Sequence, residues 1–156
     1  MMQFELYGTV DAIICLMDSI NYITDPEQLK QVFSLVHNYL NPGGLFIFDI
    51  NSEYKLKNIL GNNTFAVDEN EIFYVWENTY IDEEELCVVD LTLLIRDGHR
   101  STRIDEVHQE KAYSIPKIKA YLEESGLNLL EVCDQFSFEK PLEQSERIFF
   151  IAQRSH

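Results

Sequence analysis

Residues 9–51 constrain the fold most, because two apolar runs of strand length flank one amphipathic helical repeat. The first run, TVDAIICLM (9–17), is β-branched-rich and nearly continuous. Such a run reads as a strand buried on both faces, as in a parallel sheet. Next comes DPEQLKQVFSLVHNYL (25–40). Asp25 is placed to cap a helix, Pro26 fits its first turn, and Glu27 and Gln28 add acceptors near its start. Leu29, Val32, Phe33, Val36 and Leu40 recur at helical spacing and predict one buried stripe. The helix stops at Asn41-Pro42, and Gly43-Gly44 turn the chain into LFIFDI (45–50), a second two-face-buried strand. Strand, helix, strand predicts a βαβ unit.

The paired glycines are not a phosphate cradle. A phosphate loop follows a strand and opens a helix, so that the first helical N–H groups point at the anion. Gly43-Gly44 follow a helix and open a strand, and no G-x-G-x-x-G or G-x-x-x-x-G-K spacing occurs anywhere.

Beyond residue 51 the pattern changes. Ser52 can cap a short helix EYKLKNIL (53–60), closed by Gly61. Three segments of strand character follow: EIFYVWENTY (71–80), LCVVDLTLLIR (86–96) and TRIDEVHQEKAY (102–113). An acidic turn at 82–85 joins the first two, and Asp97-Gly98 is a hairpin signal joining the last two. Ser114 then caps a helix with Ile118, Tyr121 and Leu122 inward and Gly126 as its terminator, and LNLLEVCD (127–134) and RIFFIAQR (147–154) close the chain as strands. The expected fold is α/β: a partial Rossmann-like sheet from 1–61 and 114–156, with an antiparallel β unit inserted at 62–113.

Charge narrows the partners. There are 27 acidic and 12 basic side chains, a net −15. A nucleic-acid partner needs clustered Lys or Arg to displace counterions, and no such cluster exists, so nucleic acid is disfavoured. The runs DENE (68–71) and DEEE (82–85) read as solvated loops. No apolar run approaches the ~20 residues of a membrane span. The first residues show no secretory pattern. Cys15, Cys87 and Cys133 lie in apolar runs and read as reduced core thiols of a cytoplasmic protein.

Open α/β sheets bind ligands at the carboxyl ends of their strands. One such end carries Leu16, Met17, Asp18, Ser19, Asn21 and Tyr22, and the next carries Asp49 and Asn51. The same residue types form turns and caps, so spacing alone leaves both readings open. Glu106, His108 and Glu110 alternate along one strand face. They could position or deprotonate an amine or hydroxyl, or simply face solvent. Trp76 and Tyr80 share a face, as core or as an aromatic wall for a sulfonium or ammonium. No metal-ligand spacing links His37, His99 and the 106–110 row, and His37 reads as a surface residue.

With these residues in place, VDAIICLMDSINYI (10–23), a helix and LNPGGLFIFDIN (40–51) together resemble the second half of class I S-adenosylmethionine-dependent methyltransferases. In that family Pro-Gly-Gly before the fifth strand is frequent. The segment ICLMDS is similar to the one after strand four of small-molecule N-methyltransferases, and VWEN, RIDEVHQEKAYS and SERIFFIA resemble an uncharacterised bacterial branch. The resemblance spans nearly the whole chain. It implies S-adenosylmethionine as cofactor and a small-molecule methyl acceptor. By that resemblance Met2, Leu16, Met17, Asp18 and Tyr22 contact the cofactor. Ser19 would sit between cofactor and acceptor beneath a lid formed by the insertion, and Asp49, Asn51, Trp76, Glu106 and His108 are the candidates to meet the acceptor on the residue readings above. The family's glycine-rich loop and acidic ribose-binding residue would lie upstream of Met1. The expectation is therefore an N-terminally truncated methyltransferase whose strand at 11–17 has an open edge. Such a chain would bind the cofactor weakly or not at all, or cover its edge as a homo-oligomer. The competing expectation is a non-catalytic remnant that self-associates or binds a partner protein.

Overall fold

The computed structural model describes residues 3–98 and 100–155; Met2 and His99 lie outside them. Strand β1 (Val10–Cys15) pairs in parallel with β2 (Leu40–Asn51), and helix α1 (Pro26–Tyr39) connects them. The Asp25 side chain accepts from the Glu27 amide at 2.9 Å, satisfying one of the first helical N–H groups. All five stripe residues of 29–40 are buried. Phe33 meets Phe46 and Phe48 with ring centroids 5.9 and 5.5 Å apart, and Phe48 stacks on Phe150 at 4.9 Å.

Strands β7 (Leu127–Asp134) and β8 (Arg147–Arg154) extend this main sheet antiparallel, in the order β1-β2-β8-β7. Helix α2 (Ile115–Glu124) starts at Ser114, whose side chain accepts from Lys117, and buries Ile118 and Leu122 in the same core as α1. Between the two helices, Gly126 stands at φ +79°, and a Cβ there would come within 3.1 Å of the His37 ring. His37 is thus half-buried against a close-packed turn, not a surface residue as its helix position suggests.

The run at 9–17 departs from expectation. Ile13 and Cys15 pack toward the core, but Ile14 is 62% exposed. β1 is an edge strand among the described residues, and both helices lie on one side of the sheet, whose other face meets Phe136 through Phe149 but leaves Ile14 exposed. A continuous apolar run reports hydrophobicity, not which faces find a cover. The glycine pair behaves as the turn expected of it. Between Val10↔Leu40 and Ala12↔Leu45 the register jumps, and Gly43 takes up φ +79°.

The inserted unit is a meander of four antiparallel strands: β3 (Thr64–Glu69), β4 (Ile72–Ile81), β5 (Leu86–Asp97) and β6 (Arg100–Lys111). Sequence reading gave three. The missed strand, TFAVDE, has only Phe65 and Val67 in alternation and runs into the acidic stretch, so its local signal is short. Its partner β4 supplies the ladder, and Asp68 and Glu69 belong to a strand, not to the loop expected of them. The expected helix at 53–60 forms, and its Lys55–Leu60 part is wound as a π-helix. The Ser52 hydroxyl accepts from the Lys55 amide at 3.0 Å, and the Gly61 amide donates five residues back, to the Leu56 carbonyl at 2.9 Å. A Cβ at Gly61 would lie 2.5 Å from the Lys57 carbonyl oxygen, so the tight exit requires glycine. Such turns are enriched at functional sites. This one directly follows the carboxyl end of β2.

Candidate active site

The segment leaving β1 is the most constrained backbone near the sheet's carboxyl edge. Met17 and Asp18 both adopt left-handed conformations, with φ of 62° and 50°. For residues with a Cβ this costs about 1–3 kcal/mol each. Several bonds hold the loop. The Asp18 amide donates to Asp49 Oδ2 at 3.1 Å, the Ser19 hydroxyl donates to the Leu16 carbonyl at 2.7 Å, and the Asn21 amide donates to the Asp18 carbonyl at 2.9 Å. In this loop Leu16 stays 45% and Met17 75% exposed.

Beneath the loop lies Arg147, the first residue of β8, directly opposite Asn51 in the ladder. Its guanidinium donates to Asp18 Oδ1 at 2.6 Å, to Asp49 Oδ2 and to Asn51 Oδ1 at 3.3 Å. Burial opposes the charge on Arg147, yet the hydrogen bonds to Asp18 and Asp49 outweigh it and raise its pKa. Asp49 is 1% exposed, and its second oxygen, Oδ1, is buried with no hydrogen-bond partner among the described residues.

Asn21 stitches this floor to the meander. Its Oδ1 accepts from the Asn51 amide at 2.9 Å, while its Nδ2 donates to the carbonyls of Asn51 and Lys111, both at 3.0 Å. The Lys111 amide donates back to the Asn21 carbonyl at 2.8 Å. Asn51 Nδ2 then donates to Glu110 Oε2 at 2.8 Å, and Lys55 Nζ donates to Asn51 Oδ1 at 3.0 Å. Burial pushes the Glu110 carboxyl above its ordinary range, against the pull of the Asn51 hydrogen bond.

Cross-strand register places Trp76, Leu91 and Glu106 in one row, Asn78, Val89 and His108 in the next, and Tyr80, Cys87 and Glu110 in the third. All three rows share the meander face that meets Asn51. The Tyr22 ring stands edge-on to His108 at 5.8 Å, and His108 Nε2 lies 3.0 Å from Glu106 Oε2. Burial, then Glu110, Asp18 and Glu106, raise the Tyr22 phenol pKa. Trp76 stacks on Phe65 and Tyr74, at 5.2 and 5.6 Å.

The structure therefore brings Leu16, Met17, Asp18, Ser19 and Tyr22 to one edge, with Glu106 and His108 reached through Tyr22. Asp49 and Asn51 are 1% and 3% exposed. They sit under this edge, bonded to Asp18, Asn21, Arg147 and Glu110. Trp76 belongs to the same meander face but makes its ring contacts with Phe65 and Tyr74. Met2 lies outside the described residues. Sequence reasoning missed Arg147 altogether, and placed Asn21 at the strand end as either a ligand-side or a turn-forming residue without its link to the meander. No local signal marks an arginine as the partner of a carboxylate 129 residues away.

Chemically, the edge offers an apolar ledge (Leu16, Met17) beside a hydroxyl (Ser19), a carboxylate–imidazole pair (Glu106, His108) and a phenol (Tyr22). Such a set can hold an uncharged or cationic small molecule and accept a proton from it.

No family model matches the chain. It is 32% identical over 155 residues to a protein of Geobacillus sp., covering 99% of this chain and 63% of that protein. It is 31% identical over 149 residues to YqeM of Bacillus subtilis, covering 95% of this chain and 60% of that protein. Both are named only as candidate methyltransferases. An S-adenosylmethionine-dependent methyltransferase of known structure from Clostridium acetobutylicum is 41% identical, with a TM-score of 0.91 over 99% of this chain and 62% of its own. The chain thus spans about three-fifths of the length of each of these relatives.

Proposed function

Starting from a chain whose sequence and fold are those of class I S-adenosylmethionine-dependent methyltransferases, we infer that its carboxyl-edge cluster serves methyl transfer to a small-molecule acceptor. One observation carries this reading: a strained left-handed loop that holds Leu16 and Met17 out in water at the ligand-binding end of an α/β sheet. A ligand seated at this edge would cover that apolar ledge, which is the link between the loop and the cofactor.

The residues present suit that cofactor on the side described. An exposed thioether and an aliphatic side chain fit the apolar flank of a sulfonium; the Asp18 carboxylate is paired with Arg147, so the nearby acidic group left to favour its positive charge is Glu106. When bound, S-adenosylmethionine supplies an electrophilic methyl group. Leu16, Met17, Asp18 and Tyr22 would hold the cofactor side, and Ser19 would stand between the two ligands. Glu106 and His108 would orient the acceptor, with the imidazole taking the proton released from an amine or hydroxyl. The meander face carrying Trp76, Glu106 and His108 would exclude water above them. Alignment, more than acid–base power, is what such a site contributes.

Ultraviolet cross-linking of methyl-labelled S-adenosylmethionine to the protein, followed by peptide mapping, tests the reading without requiring tight binding. Label concentrated in residues 16–22 is expected. Label confined elsewhere, or none above a denatured control, would overturn it. The acceptor class is read in the same preparation: labelled methyl should appear in a fraction of small amines or hydroxyls and not in added RNA or protein.

A further inference from the structure

We propose that Arg147 is the positioning residue of the cofactor-facing loop, holding Met17 and Asp18 in their left-handed form without touching a ligand itself. The proposal rests on the functional reading above for its consequence, but not for its geometry.

Three observations carry it. First, two consecutive non-glycine residues at φ 62° and 50° persist only where their surroundings over-determine them. Second, both anchors of that loop are carboxylates: Asp49 accepts the Asp18 amide, and Asp18 itself turns its side chain to the same place. Two carboxylates so arranged repel unless a cation lies between them. Arg147 is that cation, bonding both with separate nitrogens. Third, the side chain is only 15% exposed and its nitrogens are engaged by Asp18, Asp49 and Asn51. Its action on a ligand is therefore indirect. A planar fork can bridge two acceptors on adjacent strand ends, whereas an ammonium on a flexible stem cannot fix both directions. The π-helical turn adds Lys55 on Asn51, but that ammonium reaches neither Asp18 nor Asp49 by any described hydrogen bond.

The experiment compares wild type with Arg147→Met, Arg147→Lys, and Arg147→Met combined with Asp18→Asn. Backbone carbon chemical shifts of residues 16–18 are read in the ligand-free protein, and cofactor affinity is read by the cross-linking titration. In Arg147→Met, the shifts of Met17 and Asp18 are expected to move to extended values while those of β4 to β6 stay in place. Half-saturation by the cofactor should rise by about tenfold or more, the scale set by roughly 1.4 kcal/mol. Arg147→Lys keeps the charge, should remain folded, and should fall between. Adding Asp18→Asn should recover part of the loop signal, because it removes one of the repelling charges. A purely structural arginine would instead give additive losses. Unchanged shifts at residues 16–18 in both arginine variants would overturn the proposal. A wild type that keeps the left-handed loop yet takes up no labelled cofactor would overturn the functional reading alone, leaving the shifts to decide Arg147.

Discussion

The two sheets are ordered by different forces. The main sheet presents one face to two helices, and its rings pack among themselves: Phe33, Phe46, Phe48 and Phe150 form one continuous aromatic core. The meander has no helix of its own. Its outer face is solvated, and its small buried cluster is Leu56, Tyr80, Cys87 and Ala112, at the end nearest the main sheet. One sheet is held by burial and the other chiefly by its ladder and by where it is fastened. The difference draws attention to the seam, where Asn21, Asn51 and Glu110 tie the meander to the main sheet.

The largest test of that contrast is Phe48→Ala. Phe48 is fully buried between three other rings, so truncation should cost about 3–5 kcal/mol in urea denaturation. Trp76→Ala, in the half-buried strip on the meander, should cost clearly less than Phe48→Ala. Equal losses would mean the meander has a core of its own rank, and the comparison would fail.

The seam comes next. Asn21→Leu strands the Asn51 amide and carbonyl and the Lys111 carbonyl in a buried place. At about 1–3 kcal/mol for such a loss, the protein should be destabilised by a few kcal/mol. Hydrogen exchange at residues 108–111 should quicken more than at the middle of β2. Uniform quickening would show that Asn21 serves global stability and not the attachment of the meander.

The smallest effect is a slope. The Glu110 carboxyl titrates above its ordinary value of 4.5 when folded, because burial penalises its charge. Between the unfolded and folded values the native protein binds the extra proton, so this group favours folding at low pH and loses that contribution as pH rises through the folded value. Glu110→Gln keeps an acceptor for Asn51 and should flatten that part of the stability profile upward from about pH 4.5. Denaturation midpoints from pH 4.5 to 7 that fall equally in both proteins would remove Glu110 as the cause.

Much of the main sheet was legible because its signals are local. The stripe from Leu29 to Leu40, the caps at Asp25 and Ser114 and the turn at Gly43-Gly44 each depend on residues within a few positions. The missed strand β3 and the π-helical turn were weaker for the same reason: two alternating apolar residues, and a helical pattern whose exit is set by backbone contact at Gly61. The candidate site was half legible. Leu16 to Tyr22 stood out as polar and apolar residues leaving a strand together, but nothing local distinguishes a ligand-facing Asp18 from a buried, supporting Asp49.

By itself, then, the sequence determined the βαβ order, the inserted antiparallel unit and the edge at which chemistry is expected, because hydrophobic period and turn chemistry act over short range. Only the tertiary structure decided which faces are covered, that Glu110 is buried while Glu106 is not, and that Arg147 closes the charge of two carboxylates, one in the loop after β1 and one on β2. Those outcomes depend on partners 59 to 129 residues apart, brought together by sheet register. Electrostatic pairing over that distance leaves no periodic trace in a chain; it exists only once the strands have chosen their neighbours.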